Sequence, residues 1–217
     1  MFTRLARLLV GLFLFGASEA LLIAAGLGNI PWDVLNQGVA EKLHVSIGAV
    51  VIGGGVLVLL AWIPLRIRPG FGTVANVVLL GLFLDLVLGW LPKHPGVVLA
   101  IPMMLGGIVL NAVATVLYIG AGFGAGPRDG LMTGLVARTG WSIRVVRTAL
   151  EVTVVVAGIL LGGTFGIGTL LFALGVGPLI QFVHRTGLVG SVTTEPPAAR
   201  RQGARGLRER AGQLPFE

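Results

Sequence analysis

The chain has no cysteine, which removes disulfides, thiol catalysis and thiolate metal ligands together. Charge is scarce: Asp, Glu, Lys and Arg make up 12% of the 217 residues, against about 25% in an ordinary soluble domain. There are three histidines, His44, His94 and His184, scattered without a metal-ligand spacing. No nucleophile elbow, His-Glu-x-x-His helix or P-loop is present. The sequence therefore predicts no enzyme, no cofactor and no metal site. Its Gly-x-Gly elements follow apolar helices rather than strands, so nucleotide binding is set aside as well.

What fills the chain instead is apolar. Hydrophobic residues reach 55%, glycine numbers 35 and the mean hydropathy is +0.94. A helix needs about 20 apolar residues to cross the hydrocarbon core, and the sequence supplies such runs repeatedly. The net charge of +7 does not gather on one face. It sits at helix ends and in a last stretch holding Arg200, Arg201, Arg205, Arg208 and Arg210, which suits topology and anionic lipid rather than nucleic acid.

The reading is all-α: a polytopic membrane protein of about six transmembrane helices, near 7–26, 46–65, 72–91, 98–121, 142–162 and 166–184. The first resembles a signal peptide, with Arg4 and Arg7 ahead of an apolar run and a small-residue site at Ala17-Ser18-Glu19-Ala20. The apolar run resumes at once through Leu21-Leu22-Ile23-Ala24-Ala25, so it is read as an uncleaved span. Two segments are too polar to span, 31–43 and 127–139, each begun by a proline suited to a first helical turn. They are amphipathic, re-entrant or interfacial. Ser46 looks like an N-cap. The tail, 189–217, is polar and basic and is expected to be disordered and cytoplasmic.

Sliding the chain along itself by 96 residues exposes a repeat. Gly26, Gly28, Pro31, Asp33, Leu35 and Gly38 fall on Gly122, Gly124, Pro127, Asp129, Leu131 and Gly134. Ser46-Ile47 falls on Ser142-Ile143, and Gly70, Gly72, Thr73 and Gly81 fall on Gly166, Gly168, Thr169 and Gly177. The units are 1–97 and 98–188. With three spans in each, the second enters the membrane from the opposite side, an inverted repeat. Arg4, Arg7, Arg66, Arg68, Arg128, Arg138, Arg144, Arg147 and Arg185 mark the cytoplasmic side and place both termini there.

With these residues in view, the chain resembles the YczE/YitT-like family of bacterial multi-pass membrane proteins, the YczE-type branch most closely. The matching stretches are Gly-Leu-Gly-Asn-Ile-Pro-Trp-Asp-Val-Leu (26–35), Gly-Phe-Gly-Ala-Gly-Pro-Arg-Asp-Gly-Leu (122–131) and Gly-Gly-Thr-Phe-Gly-Ile-Gly-Thr-Leu (162–170). The resemblance implies the bacterial plasma membrane and carries over no catalytic residue.

The candidates for substrate or ion binding are Asp33, Asp129, Glu19, Glu151, Arg128, Arg147, Asp85 and Trp32. Asp33 and Asp129 each read two ways: a cation or proton site, since acids within a membrane are costly, or a cap on the short helix that follows. Glu19, deep in the first span, is held neutral or paired across the bundle, while Thr115 stands at the equivalent place. Glu151 lies one turn after Arg147, so a local pair competes with a cavity-facing pair. Arg128 obeys the positive-inside bias or holds an anion; Trp32 anchors at the interface. Asp85 and Asn111 could face the bundle. Gly26, Gly28, Pro31, Gly122, Gly124 and Pro127 are structural. Gly53–Gly55, Gly106-Gly107 and Gly162-Gly163 suggest close helix packing, while Gly70, Gly72, Gly166 and Gly168 suggest tight turns.

Two functions survive. One is a small-solute transporter or permease with alternating access between the repeats, the usual setting for Gly/Pro-interrupted inverted repeats. The other is an accessory membrane protein that binds lipid or a partner protein and carries nothing. Beyond the lipid bilayer, the partners expected are a small molecule or ion, a membrane partner or a second copy, and no nucleic acid. In a transporter Glu19, Asp33, Asp129 and Glu151 converge on a water-reachable cavity; in an accessory protein they pair locally and the interior is sealed.

Overall fold

The computed structural model describes residues 1–93 and 95–187. His94 and the expected disordered tail lie outside the described residues. Among the described residues eight helices follow one another: α1 (Phe2–Ala25), α2 (Pro31–Leu43), α3 (Ile47–Leu65), α4 (Phe71–Leu88), α5 (Val97–Gly120), α6 (Pro127–Thr139), α7 (Ile143–Leu161) and α8 (Ile167–Arg185). The fold is that of an all-helical polytopic membrane protein. Among the described residues α1, α3, α4, α5 and α8 are long and apolar enough to cross a bilayer. α7 matches α3 in length, but Arg144, Arg147 and Glu151 on it break the apolar run. α2 and α6, at 13 residues each, reach only about 20 Å and fall short of the roughly 30 Å core.

The helices begin and end where local chemistry tells them to. Pro31 and Pro127 open α2 and α6. Ser46 and Ser142 cap α3 and α7, their hydroxyls accepting from the N–H groups of Ala49 (3.2 Å) and Val145 (3.3 Å). The bounds of α2 and α6, and of α3 and α7, differ by the same 96 positions at both ends. α1 starts at Phe2, earlier than the expected 7, and this puts Arg4 inside the helix. Its guanidinium donates to the carbonyls of Ala121 (2.9 Å) and Gly122 (3.0 Å).

At the centre α1 crosses α5. Gly11 admits the backbone of Tyr118, and Gly107 admits Leu22 and the Ser18 carbonyl. Positions 11 and 107 correspond in the repeat, as do 22 and 118, so the contact is reciprocal. Around this crossing each short helix lies on a long helix of the other half: α2 on α7, and α6 on α3. The connecting loops are exchanged in the same way. The Gly168 N–H donates to the Leu27 carbonyl and the Gly72 N–H to the Phe123 carbonyl, each at 2.9 Å. Gly70, Gly72, Gly166 and Gly168 are therefore not the turn-formers that the sequence suggests but points of close approach between the halves. A Cβ at any of them would strike the opposite loop, and Gly70 and Gly166 have extended backbones with no positive φ.

The halves differ in two places. α3 and α4 pack through Gly48 and Gly81, and the Asp85 carboxylate accepts the Gly48 N–H at 2.8 Å. In the second half Arg144 and Gln181 replace Gly48 and Asp85; among the described residues nothing lies within 4 Å of a Cβ at Gly177, and α7 and α8 form no packed interface. The other difference is a large-for-small exchange. Gly158 and Gly163 let α7 approach the backbone of Val34 and Leu35 on α2. At the position matching Gly158 stands Trp62, which lies on Gly130 and donates its Nε1–H to the Pro127 carbonyl at 3.1 Å.

The expected tight helix packing of the glycines holds for some and not for others. Gly55, Gly107 and Gly163 meet neighbours, whereas Gly53 and Gly106 meet nothing within 4 Å among the described residues.

Gly158→Val drives side-chain atoms into the α2 backbone and should lower stability by about 1–3 kcal/mol or more. Gly175→Ala on α8, where nothing lies within 4 Å, should gain about 0.5–1 kcal/mol. Thermal unfolding of the purified variants tests this; equal melting temperatures would contradict the α2–α7 contact.

Candidate functional site

The N-terminal ends of α2 and α6 converge. The corresponding residues Trp32 and Arg128, each in the first turn of its helix, touch each other, with the guanidinium 5.3 Å from the indole ring centre. Two helix N-termini bring two positive dipole ends together, and Arg128 adds a full charge. Carboxylates balance them. Glu19 from α1 and Asp33 from α2 each approach Arg128, Oε1 to Nη1 and Oδ1 to Nη2, both at 3.5 Å. Glu19 and Asp33 are fully buried, while the Arg128 side chain is a quarter exposed. The Asn36 amide donates to Asp33 Oδ1 at 3.0 Å, and among the described residues Glu19 Oε2 and Asp33 Oδ2 have no hydrogen-bond partner. Two buried acids thus share one guanidinium.

Arg128 separates this pair from a cavity of about 210 Å³. Its walls come from both halves. Trp32, Arg128 and Asp129 form the end where the short helices meet. α7 contributes Arg147, Leu150 and Glu151, α5 contributes Asn111, Thr115 and Tyr118, and α4 contributes Asn76 and Leu80. Phe172, Val176 and Ile180 of α8 form an apolar side. Arg147 Nε and Glu151 Oε1 pair at 2.8 Å, so this pair is both local and on the cavity wall. Asp129 is accessible and, among the described residues, makes no ion pair or side-chain hydrogen bond. A second, smaller cavity of about 60 Å³ lies between α2, α3 and α4 and also touches Trp32 and Arg128.

The DUF6198 family, described as a family of unknown function, matches residues 2–185. An uncharacterized protein of Haemophilus influenzae is 41% identical over 175 residues, covering 81% of this chain and 80% of its own. An uncharacterized membrane protein of Bacillus subtilis named YczE is 32% identical over 183 residues, covering 79% and 81%. The chain belongs to the YczE-like membrane protein family. No solved structure matches it significantly.

In this YczE-like protein seven of the eight ligand candidates lie together: Glu19, Trp32, Asp33, Arg128, Asp129, Arg147 and Glu151. Asp85 does not join them, because its carboxylate is held on the N-terminus of α3. The expected capping role of Asp33 and Asp129 is corrected. Neither α2 nor α6 has a side-chain cap; Asp33 turns to Arg128 and Asn36, and Asp129 to the cavity. Trp32 is half-buried, with its ring against the Arg128 guanidinium. Arg128 is engaged with protein carboxylates, which the positive-inside reading did not foresee. Asn111 does bond between helices, its amide donating to Ser18 Oγ at 2.9 Å. The loop glycines behave alike in both halves, with φ of 65° and 69° at Gly26 and Gly122, and 118° and 121° at Gly28 and Gly124. Sequence reasoning missed Asn36 and Gln37. The first lies one turn after Asp33. Gln37 Oε1 accepts from the Thr164 N–H at 3.0 Å across the two halves, a contact that no local signal announces.

Removing Arg128 leaves two buried carboxylates uncompensated. Arg128→Met should cost about 3–5 kcal/mol, and adding Glu19→Gln and Asp33→Asn to it should recover most of the loss. Thermal unfolding of the single and triple variants checks this. A single variant as stable as the parent would show that the cluster does not hold the two halves.

Proposed function

We propose that the protein is a small-solute transporter of the bacterial plasma membrane, working by alternating access between two inverted repeats, with both termini cytoplasmic. The observation that carries this reading is the cavity: its walls come from both halves, and at its end the two Pro-initiated helices meet. Helix N-termini converging on a cavity between repeats are how secondary transporters build their sites. The exchanged loops, Leu27 on Gly168 and Phe123 on Gly72, fit a two-fold relation between the repeats. Six spans follow if α7 crosses the membrane with its charged residues turned to the cavity rather than to lipid.

The unequal halves support the same reading. α3 and α4 are closed on each other through Gly48 and Gly81, while α7 and α8 are apart. A transporter caught open to one side has this asymmetry, and its opposite state would close the second pair and loosen the first.

The test is uptake. Proteoliposomes holding the full chain are incubated with a soluble-metabolite extract and their contents compared with those of empty vesicles. The parent protein should enrich at least one solute. Met132→Trp, which fills cavity space, should abolish that enrichment without lowering the melting temperature. If the parent enriches nothing, the protein carries nothing, and an accessory role in binding lipid or a partner takes the place of transport.

A further inference from the structure

We infer that the cavity takes a small organic cation with an apolar body, its charge held by Asp129. The inference deepens the transport reading by naming a substrate class for the same cavity, but it concerns binding alone. Four carboxylates, Glu19, Asp33, Asp129 and Glu151, stand at or just behind the wall against two guanidiniums, Arg128 and Arg147. The formal excess is two negative charges, and one remains even if a proton is shared across the buried pair.

The excess has an address. Arg128 is engaged by Glu19 and Asp33, and Arg147 by Glu151, while Asp129 is accessible and has no partner among the described residues. An anion would compete with carboxylates already in place and would lie beside Asp129. A bare metal ion would find one carboxylate where several oxygen ligands are needed. An ammonium group needs only one carboxylate to form a charge-assisted hydrogen bond. The same cavity is lined by the apolar Phe172, Val176 and Ile180 of α8, so the rest of the ligand is hydrocarbon in character. At about 210 Å³ the space is below the roughly 300–1,000 Å³ of drug-sized sites, which limits the ligand to a small one.

Three probes of matched shape test the charge: 2-phenylethylammonium, neutral 2-phenylethanol and anionic 3-phenylpropionate. Each is titrated into the purified full-length protein with tryptophan fluorescence and thermal shift as readouts. The ammonium should bind saturably and the other two should not. Asp129→Asn should weaken its affinity by about tenfold or more. Asp85→Asn, which alters an acid outside the cavity, should bind like the parent. Equal or tighter binding of the alcohol or the carboxylate, unchanged ammonium binding by Asp129→Asn, or no saturable binding by any of the three would overturn the inference. Uptake of the ammonium into proteoliposomes separates the two ideas. Binding without uptake counts against transport and leaves the cation site standing; uptake of some other solute with no ammonium binding does the reverse.

Discussion

Backbone that is not helical cannot face lipid, because nothing there accepts or donates its hydrogen bonds. The stretches 26–30 and 122–126 leave the helical path between α1 and α2 and between α5 and α6, and each takes hydrogen bonds from the other half. The Leu27 and Phe123 carbonyls accept from Gly168 and Gly72, at glycines where a side chain would prevent the approach. Arg4 adds two bonds to the second loop. This exchange fixes the places at which α2 and α6 begin. Their N-termini are thereby brought together, and that meeting creates the demand for negative charge which Glu19 and Asp33 meet.

The electrostatics of the site follow from that meeting. Two converging helix dipoles and a guanidinium form a positive focus, where the low dielectric strengthens every interaction. Glu19 belongs to only one half, Thr115 standing in its place in the other, and Arg128 faces Trp32 rather than a second arginine. The duplicated scaffold is thus decorated asymmetrically where its halves touch, and the asymmetry decides which acid is buried and which faces the cavity. The same exchange of unlike residues keeps the scaffold close-packed elsewhere: Gly158 and Trp62 occupy matching positions, and so do Val34 and Gly130.

Much of this was legible in the sequence because it is local or periodic. Pro31 and Pro127 open their helices, Ser46 and Ser142 cap theirs, and the 96-residue offset is reproduced in the helix bounds. The clustering of Asp33, Arg128 and Glu19 was not legible, because the residues come from three helices and meet only through the crossing of the two halves. The capping role given to Asp33 and Asp129 failed for the same reason. Residue type and position favoured a cap, and a charge from the other half outcompeted the backbone for Asp33. In the sequence Gly70 and Gly166 look like turn residues because glycine most often serves turns, and only the tertiary approach of Phe123 and Leu27 reveals their purpose. α7 is the least legible of the long helices, since Arg147 and Glu151, which break its apolar run, line the cavity.

The central claim is that matching positions of the two repeats lie on opposite sides of the membrane. A cysteine-free chain suits a direct measurement: single Val45→Cys and Trp141→Cys variants, at corresponding exposed positions, treated in intact cells with a membrane-impermeant maleimide. Position 45 should label from outside, and position 141 only after the membrane is permeabilised. Labelling of both from the same side would contradict the inversion and the alternating access built on it.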